Sequence, residues 1–260
     1  MDKKQISEII NELGEENFSY DPVSVPIYQT SSFLFGSFDE LKRAVSSEKD
    51  AYLYTRGNNP TCEVVEKKIA ALENGEKAKL FASGVAAISA SVMSLLKTGD
   101  HVVCVRDCYS WSYKLFSRYL SRFGIEVTFI DGVNITDWKN SIRSNTKLFY
   151  LESPTTFTFF LQDLTAVSNL AKENKIKTII DNTWATPIFQ NPLQFGIDLV
   201  VHSCSKYIGG HSDVVAGVVV GNTKEIEHIF NTELLNIGGI LRSFNRLALL
   251  RGIRTLSVLM

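Results

Sequence analysis

Cysteine and histidine are scarce in this chain. Four cysteines and four histidines occur in 260 residues. Cys62, Cys104, Cys108 and Cys204 form no CxxC pair, and His101, His202, His211 and His228 lack metal-finger spacing. Buried free thiols are therefore expected rather than disulfides, and no metal site is expected. Cys204 reads as a small packing residue. An excess of one charge is also missing. The 27 Lys and Arg against 28 Asp and Glu leave a net charge of −1, with no long basic block. That speaks against nucleic acid as a partner. No apolar run approaches the length of a membrane span, so no membrane is expected either. Met1–Glu12 is polar and mixed in charge, unlike a signal peptide, which makes the cytoplasm the expected location. No GxGxxG follows the first strand-like run, which removes the main signal for a nucleotide-binding α/β protein. The 45% hydrophobic content supports a substantial core in one large domain or two small ones.

What is present has a regular order. Residues 1–50 read as irregular, with a short helix over Met1–Leu13 and then an extended arm around Pro22 and Pro26. From residue 79, strand-like runs alternate with amphipathic segments. The strands are expected at Lys79–Ala82, Val102–Val105, Glu126–Ile130, Leu148–Leu151, Thr178–Ile180, Leu199–Val201 and Val214–Val220. Helices are expected near 85–97, 111–123 and 163–175. This order predicts an α/β fold, a mostly parallel sheet of about seven strands with helices on both faces. From about 244, Phe244, Leu247, Leu250, Ile253 and Leu256 recur at helical spacing up to the last residue. No glycine stop or polar tail follows, which reads as an interrupted chain.

In such sheets ligands bind beyond the carboxyl ends of the strands. Polar residues fall at those positions. Ser83-Gly84 follows the first strand, Tyr109 comes shortly after the second, Glu152-Ser153 follows the fourth, Asp181 the fifth, and Ser203 to Lys206 the sixth. Lys206 lies between Ser203, Ser205 and two glycines, where an amine is well placed to form a Schiff base beside a phosphate. A surface lysine ending a strand is the bland alternative. Ser83-Gly84 sits at a helix start, suited to an anion or to simple capping. Asp181 suits a protonated pyridine nitrogen or a turn cap. Tyr109 and Tyr54 are candidates for ring stacking or proton relay, or are structural. Arg56 suits a phosphate, or is a solvated loop residue. Taken together these groups match the needs of pyridoxal 5′-phosphate (PLP).

The runs Ser-Cys-Ser-Lys-Tyr-Ile-Gly-Gly-His-Ser-Asp, Tyr-Thr-Arg-Gly-Asn-Asn-Pro-Thr, Glu-Ser-Pro-Thr and Asp-Asn-Thr-Trp-Ala-Thr-Pro carry a specific resemblance. From about residue 20 onward the chain resembles the Cys/Met-metabolism family of PLP enzymes, which have the fold-type-I transferase architecture. The family includes cystathionine γ-synthase, cystathionine β- and γ-lyases, and methionine γ-lyase. The resemblance implies that Lys206 binds the cofactor covalently and shuttles protons, that Asp181 partners the pyridine nitrogen, and that Tyr109 stacks on the ring. It implies phosphate contacts for Ser83, Gly84, Val85, Ser203 and Ser205, and ring support for Thr183. Tyr54 and Arg56 match residues that reach the phosphate of a neighbouring subunit, which implies a homo-oligomer, a dimer or tetramer.

The implied reaction is elimination or replacement at Cβ or Cγ of a cystathionine-like or homoserine-ester substrate, with a lyase slightly favoured. A methionine γ-lyase type and a non-catalytic PLP-binding remnant are the alternatives. Two departures stand out. Ser110-Trp111 replaces small residues after Tyr109, and Thr156-Phe157 stands where Asn-Pro is usual. Family members also continue past Leu-Arg-Gly-Ile-Arg-Thr-Leu into a smaller domain that usually supplies an arginine for the substrate carboxylate. The implied organisation is an arm at 1–50, a PLP-binding domain at 51–243, and the start of an interdomain helix at 244–260 with the C-terminal domain absent.

Overall fold

Each of the seven expected apolar runs forms a strand in the computed structural model, which describes residues 3–16 and 18–260. The strands are β1 (Lys77–Phe81), β2 (His101–Val105), β3 (Glu126–Ile130), β4 (Thr146–Glu152), β5 (Lys177–Asp181), β6 (Leu199–Ser203) and β7 (Gly217–Gly221). They form one sheet in the order β1-β7-β6-β5-β4-β2-β3. β7 pairs antiparallel with both β1 and β6, while the pairs from β6 to β3 are parallel. Six strands therefore point one way and β7 alone runs against them. Every residue of β2 and β7 is buried, so both faces of the sheet are covered.

β7 starts later than Val214. Ahead of it the Ala216 N–H donates to Ser205 Oγ at 3.0 Å, which holds that stretch in a loop rather than in the ladder. The first helix, α1 (Lys3–Asn11), falls in the expected place, although Met1 and Asp2 lie outside the described residues. The irregular arm at 1–50 needs correction. It contains a second helix, α2 (Phe38–Ser46), whose start is capped by Ser37 accepting from the Glu40 N–H. α3 (Pro60–Leu72) was also missing from the expected set. Asn59 caps it by accepting from the Thr61 N–H, and Pro60 fixes its first turn. Val65, Ile69 and Leu72 then turn a buried stripe toward the sheet.

α4 (Gly84–Met93) stops short of residue 97, because Lys97 N–H donates to Asp100 Oδ2 in a turn that contains Gly99 at φ +90°. The segment 110–123 is helical throughout but changes pitch. It opens as α5 (Ser110–Lys114), passes through a wide turn at Leu115–Tyr119 and tightens at Leu120–Phe123. The expected third helix appears at Leu164–Glu173, capped by Asp163. The last helix, Ser243–Leu259, packs against α3 and buries Leu249, Ile253 and Leu256. No helix among the described residues is long and apolar enough to cross a membrane.

Candidate active site

The strand directions bring the carboxyl ends of β1, β2, β4, β5 and β6 to one edge. Gly217, the first residue of β7, is there too, opposite Phe81 on one side and Ser203 on the other. A side chain at Gly217 would put its Cβ 2.2 Å from the Ser83 carbonyl oxygen. One at Gly84 would meet Ser203 Cβ at 2.8 Å. Only glycine fits at either position, and the backbone of Ser83-Gly84 is thereby drawn against the end of β6. Ser83 caps α4 by accepting from the Ala86 N–H at 3.1 Å. Gly84 and Val85 begin that helix, where first-turn N–H groups have no intrahelical acceptor.

Lys206 lies three residues beyond β6. Its loop is closed by Lys206 N–H to Ser203 O at 3.2 Å, Gly209 N–H to Cys204 O at 2.8 Å, and Gly210 N–H to Lys206 O at 2.7 Å. The side chain is exposed, and its Nζ lies 5.0 Å from the centroid of the Tyr109 ring. Ser205 Oγ accepts from the Ala216 N–H at 3.0 Å and donates to Ala216 O at 3.3 Å, so this hydroxyl also stitches the loop to the approach of β7. Cys204 is fully buried among apolar groups, which push its thiol well up, consistent with a packing role. The four cysteines are all buried and free.

Asp181 ends β5 and is 6% exposed. Its Oδ1 accepts from both the N–H and the hydroxyl of Thr183. Nothing among the described residues hydrogen-bonds Oδ2. Thr183 Oγ1 in turn accepts from the Ser203 N–H at 2.8 Å, tying the end of β5 to that of β6. Behind these ends, Glu73 Oε1 meets His202 Nε2 at 2.6 Å and Asn182 Nδ2 at 2.8 Å, all buried. This network anchors α3 to the residues flanking Asp181 and Ser203.

Lys206, Tyr109, Asp181, Thr183, Ser83, Gly84, Val85, Ser203 and Ser205 thus gather at one sheet edge. Tyr54 and Arg56 stand apart. Both are exposed, with Arg56 Cζ 5.4 Å from the centroid of the Tyr54 ring. Among the described residues no hydrogen bond, ion pair or ring contact joins either of them to Lys206, Asp181 or Ser83. Trp111 is exposed and lines an apolar cavity of 410 Å³ with Val85, Tyr119 and Ile237.

One residue with a direct part in this geometry was not among the expected site residues. Glu152 ends β4 in register with Asp181 and is 6% exposed. Its Oε2 accepts from the Tyr109 N–H at 2.7 Å, and its Oε1 accepts from Thr156 Oγ1 at 2.5 Å. The available signal was its position, a carboxylate at a strand end beside Asp181. Burial first, and then the Asp181 charge, push Glu152 up to about 7, against the pull of its two hydrogen bonds and Lys206. The folded chain therefore keeps a proton between about pH 4.5 and 7 that the unfolded chain releases, and folding weakens as pH rises through that window. The expected result is that E152Q resists urea better than the parent at pH 8, by as much as about 3 kcal/mol, with the gap closing by pH 5. Urea melts at the two pH values check it, and an unchanged gap would contradict it.

This chain is similar to proteins named for methionine and cystathionine. It is 43% identical over 243 residues to an L-methionine gamma-lyase of Fusobacterium nucleatum subsp. polymorphum, covering 93% of this chain and 62% of the relative. It is 42% identical over 238 residues to a cystathionine gamma-lyase of Bacillus subtilis, covering 92% of this chain and 60% of the relative. The chain thus spans about three fifths of the length of these curated relatives. Among solved structures, metB from Corynebacterium glutamicum superposes with a TM-score of 0.91 at 36% identity, over 97% of this chain and 64% of that one. The metY protein of Campylobacter jejuni, which carries an N'-pyridoxyl-lysine-5'-monophosphate, superposes at 0.94 with 26% identity, over 97% of this chain and 71% of that one. The family model for the Cys/Met metabolism PLP-dependent enzyme matches residues 7–260, and the chain belongs to that family.

Proposed function

We propose that this chain binds pyridoxal 5′-phosphate through Lys206 and serves the elimination or replacement of a Cβ or Cγ substituent on a sulfur amino acid or homoserine ester, with a lyase favoured. The observation that carries this reading is the Lys206 Nζ beside the Tyr109 ring at the same sheet edge as the buried Asp181. The residues suit that cofactor. The close backbone approach enforced at Gly84 and Gly217 leaves a cradle edged by Ser83 and Ser203, and the first-turn N–H groups of Gly84 and Val85 suit a phosphate. Ser205 borders it. The unpaired Asp181 Oδ2 suits a protonated ring nitrogen, with Thr183 holding the carboxylate in place. Tyr109 covers one face of the ring.

When bound, PLP supplies an electron sink for the charge left at Cα after proton loss. Lys206 Nζ is the group that takes and returns that proton. Residues 51–243 form the cofactor-binding unit in this reading. Tyr54 and Arg56, separate from the cluster in their own chain, act on the phosphate of a second copy, which makes the working form at least a dimer. A cytoplasmic location fits this chemistry.

Assaying cystathionine, methionine, cysteine and O-acylated homoserine in parallel with the PLP-loaded chain tests the reading. PLP-dependent release of a thiol or an oxo acid from at least one is expected. Tight PLP binding with no turnover of any of them would overturn the catalytic part.

A further inference from the structure

We infer that Glu152, with Thr156, is a positioning residue that fixes Tyr109 over the sheet edge. The Tyr109 ring is partly exposed and, among the described residues, makes neither a hydrogen bond nor a ring–ring contact. Its position is set by its backbone. Among the described residues two bonds hold that backbone. The Tyr109 carbonyl accepts from the Tyr113 N–H at 2.9 Å inside the helical turn, and the Tyr109 N–H donates to Glu152 Oε2 at 2.7 Å. Only the second ties the tyrosine to the sheet.

The other carboxylate oxygen is itself held. Thr156 Oγ1 donates to Glu152 Oε1, and the Thr156 N–H donates to Asp107 O at 2.9 Å. Thr158 Oγ1 adds a bond to Asp107 Oδ2 at 3.1 Å. The loop after β4 is thus stitched to the loop after β2 at Asp107 and, through Glu152, at Tyr109 itself. A strand-end side chain buried to 6% exposure has little freedom to release either partner. The proposal deepens the function given above and rests on it for the consequence, which is that Tyr109 is already in stacking position when the cofactor arrives.

Three variants separate the clamp from other roles. In E152Q the amide oxygen still accepts from Tyr109 N–H and the amide N–H₂ can donate to Thr156 Oγ1, so the geometry survives without the charge. E152A removes both bonds. T156V removes one arm while keeping the backbone bond to Asp107, and it stands in for E152A should that variant not fold. Hydrogen exchange at the Tyr109 amide of the ligand-free protein reads the clamp with no cofactor present. Protection is expected in the parent and E152Q, and its loss in E152A, with partial loss in T156V. In the PLP-loaded protein, the visible circular dichroism of the bound cofactor is expected to persist in E152Q and collapse in E152A, with PLP binding weakened about 10-fold in E152A.

Parent-like exchange and dichroism in E152A or T156V would overturn the clamp. So would E152Q failing as fully as E152A, because charge rather than position would then be in control. If the parent takes up no PLP, the proposed function fails while the exchange experiment still decides the clamp.

Discussion

Lys206→Ala is expected to abolish covalent attachment of PLP while leaving the fold intact. The side chain is exposed, and its Nζ lies 5.0 Å from the centroid of the Tyr109 ring. Truncating an exposed side chain of this kind costs within about 0.5 kcal/mol of stability. The loop itself is held by backbone bonds at Ser203, Cys204, Lys206, Gly209 and Gly210, none of which needs the amine. The proposed phosphate cradle is also untouched, so non-covalent PLP binding should persist at reduced affinity. Any elimination activity of the loaded chain should fall by about 10⁴-fold, because the covalent anchor and the proton carrier are lost together. Steady-state rates alongside spectra of the bound cofactor measure this. Parent-level turnover in K206A would remove the amine from the mechanism.

Asp181→Asn should produce the second-largest loss, and of a different kind. Asparagine matches the volume of aspartate, and its amide oxygen can still accept from the Thr183 N–H, so the end of β5 should keep its shape. What disappears is the fixed negative charge that suits a protonated ring nitrogen. Its counterpart Glu152 does not replace it, because its own carboxylate is engaged with Tyr109 and Thr156. Removing one preorganised electrostatic partner costs about 10²–10³ in kcat. D181N should therefore still attach PLP at Lys206, yet turn over that much more slowly. A variant with unchanged kcat would assign the ring nitrogen to another group.

These two residues were legible in the sequence because chemistry and position coincide in them. Each comes after a short apolar run that reads as a strand, and parallel strands send such residues to one edge. The same logic located all seven strands. It said nothing of β7's direction, because alternation of apolar residues carries no sense of polarity. Local capping also went unread. Ser37 before Phe38–Ser46 and Asn59 before Pro60–Leu72 are ordinary helix starts, but the first lies in the stretch whose prolines and serines suggest an arm and the second between that arm and the first strand-like run.

Glu152 escaped for another reason. Its part depends on two loops, at Asp107–Tyr109 and at Thr156–Thr158, that are some fifty residues apart in sequence and meet only once the sheet has formed. Thr156, visible in the sequence only as a departure, becomes intelligible as the partner of that carboxylate. Tyr54 and Arg56 are the opposite case. Their residue types are suggestive, but among the described residues no direct contact joins them to Lys206, Asp181 or Ser83, and their proposed work needs a second copy.

The central claim is that Lys206 is the point where PLP attaches. The direct measurement is borohydride reduction of the PLP-loaded chain, proteolysis and mass analysis of the peptides. The account predicts a single pyridoxyl adduct on the peptide containing Lys206, absent in K206A. An adduct on a different lysine, or none after reconstitution with PLP, would contradict it.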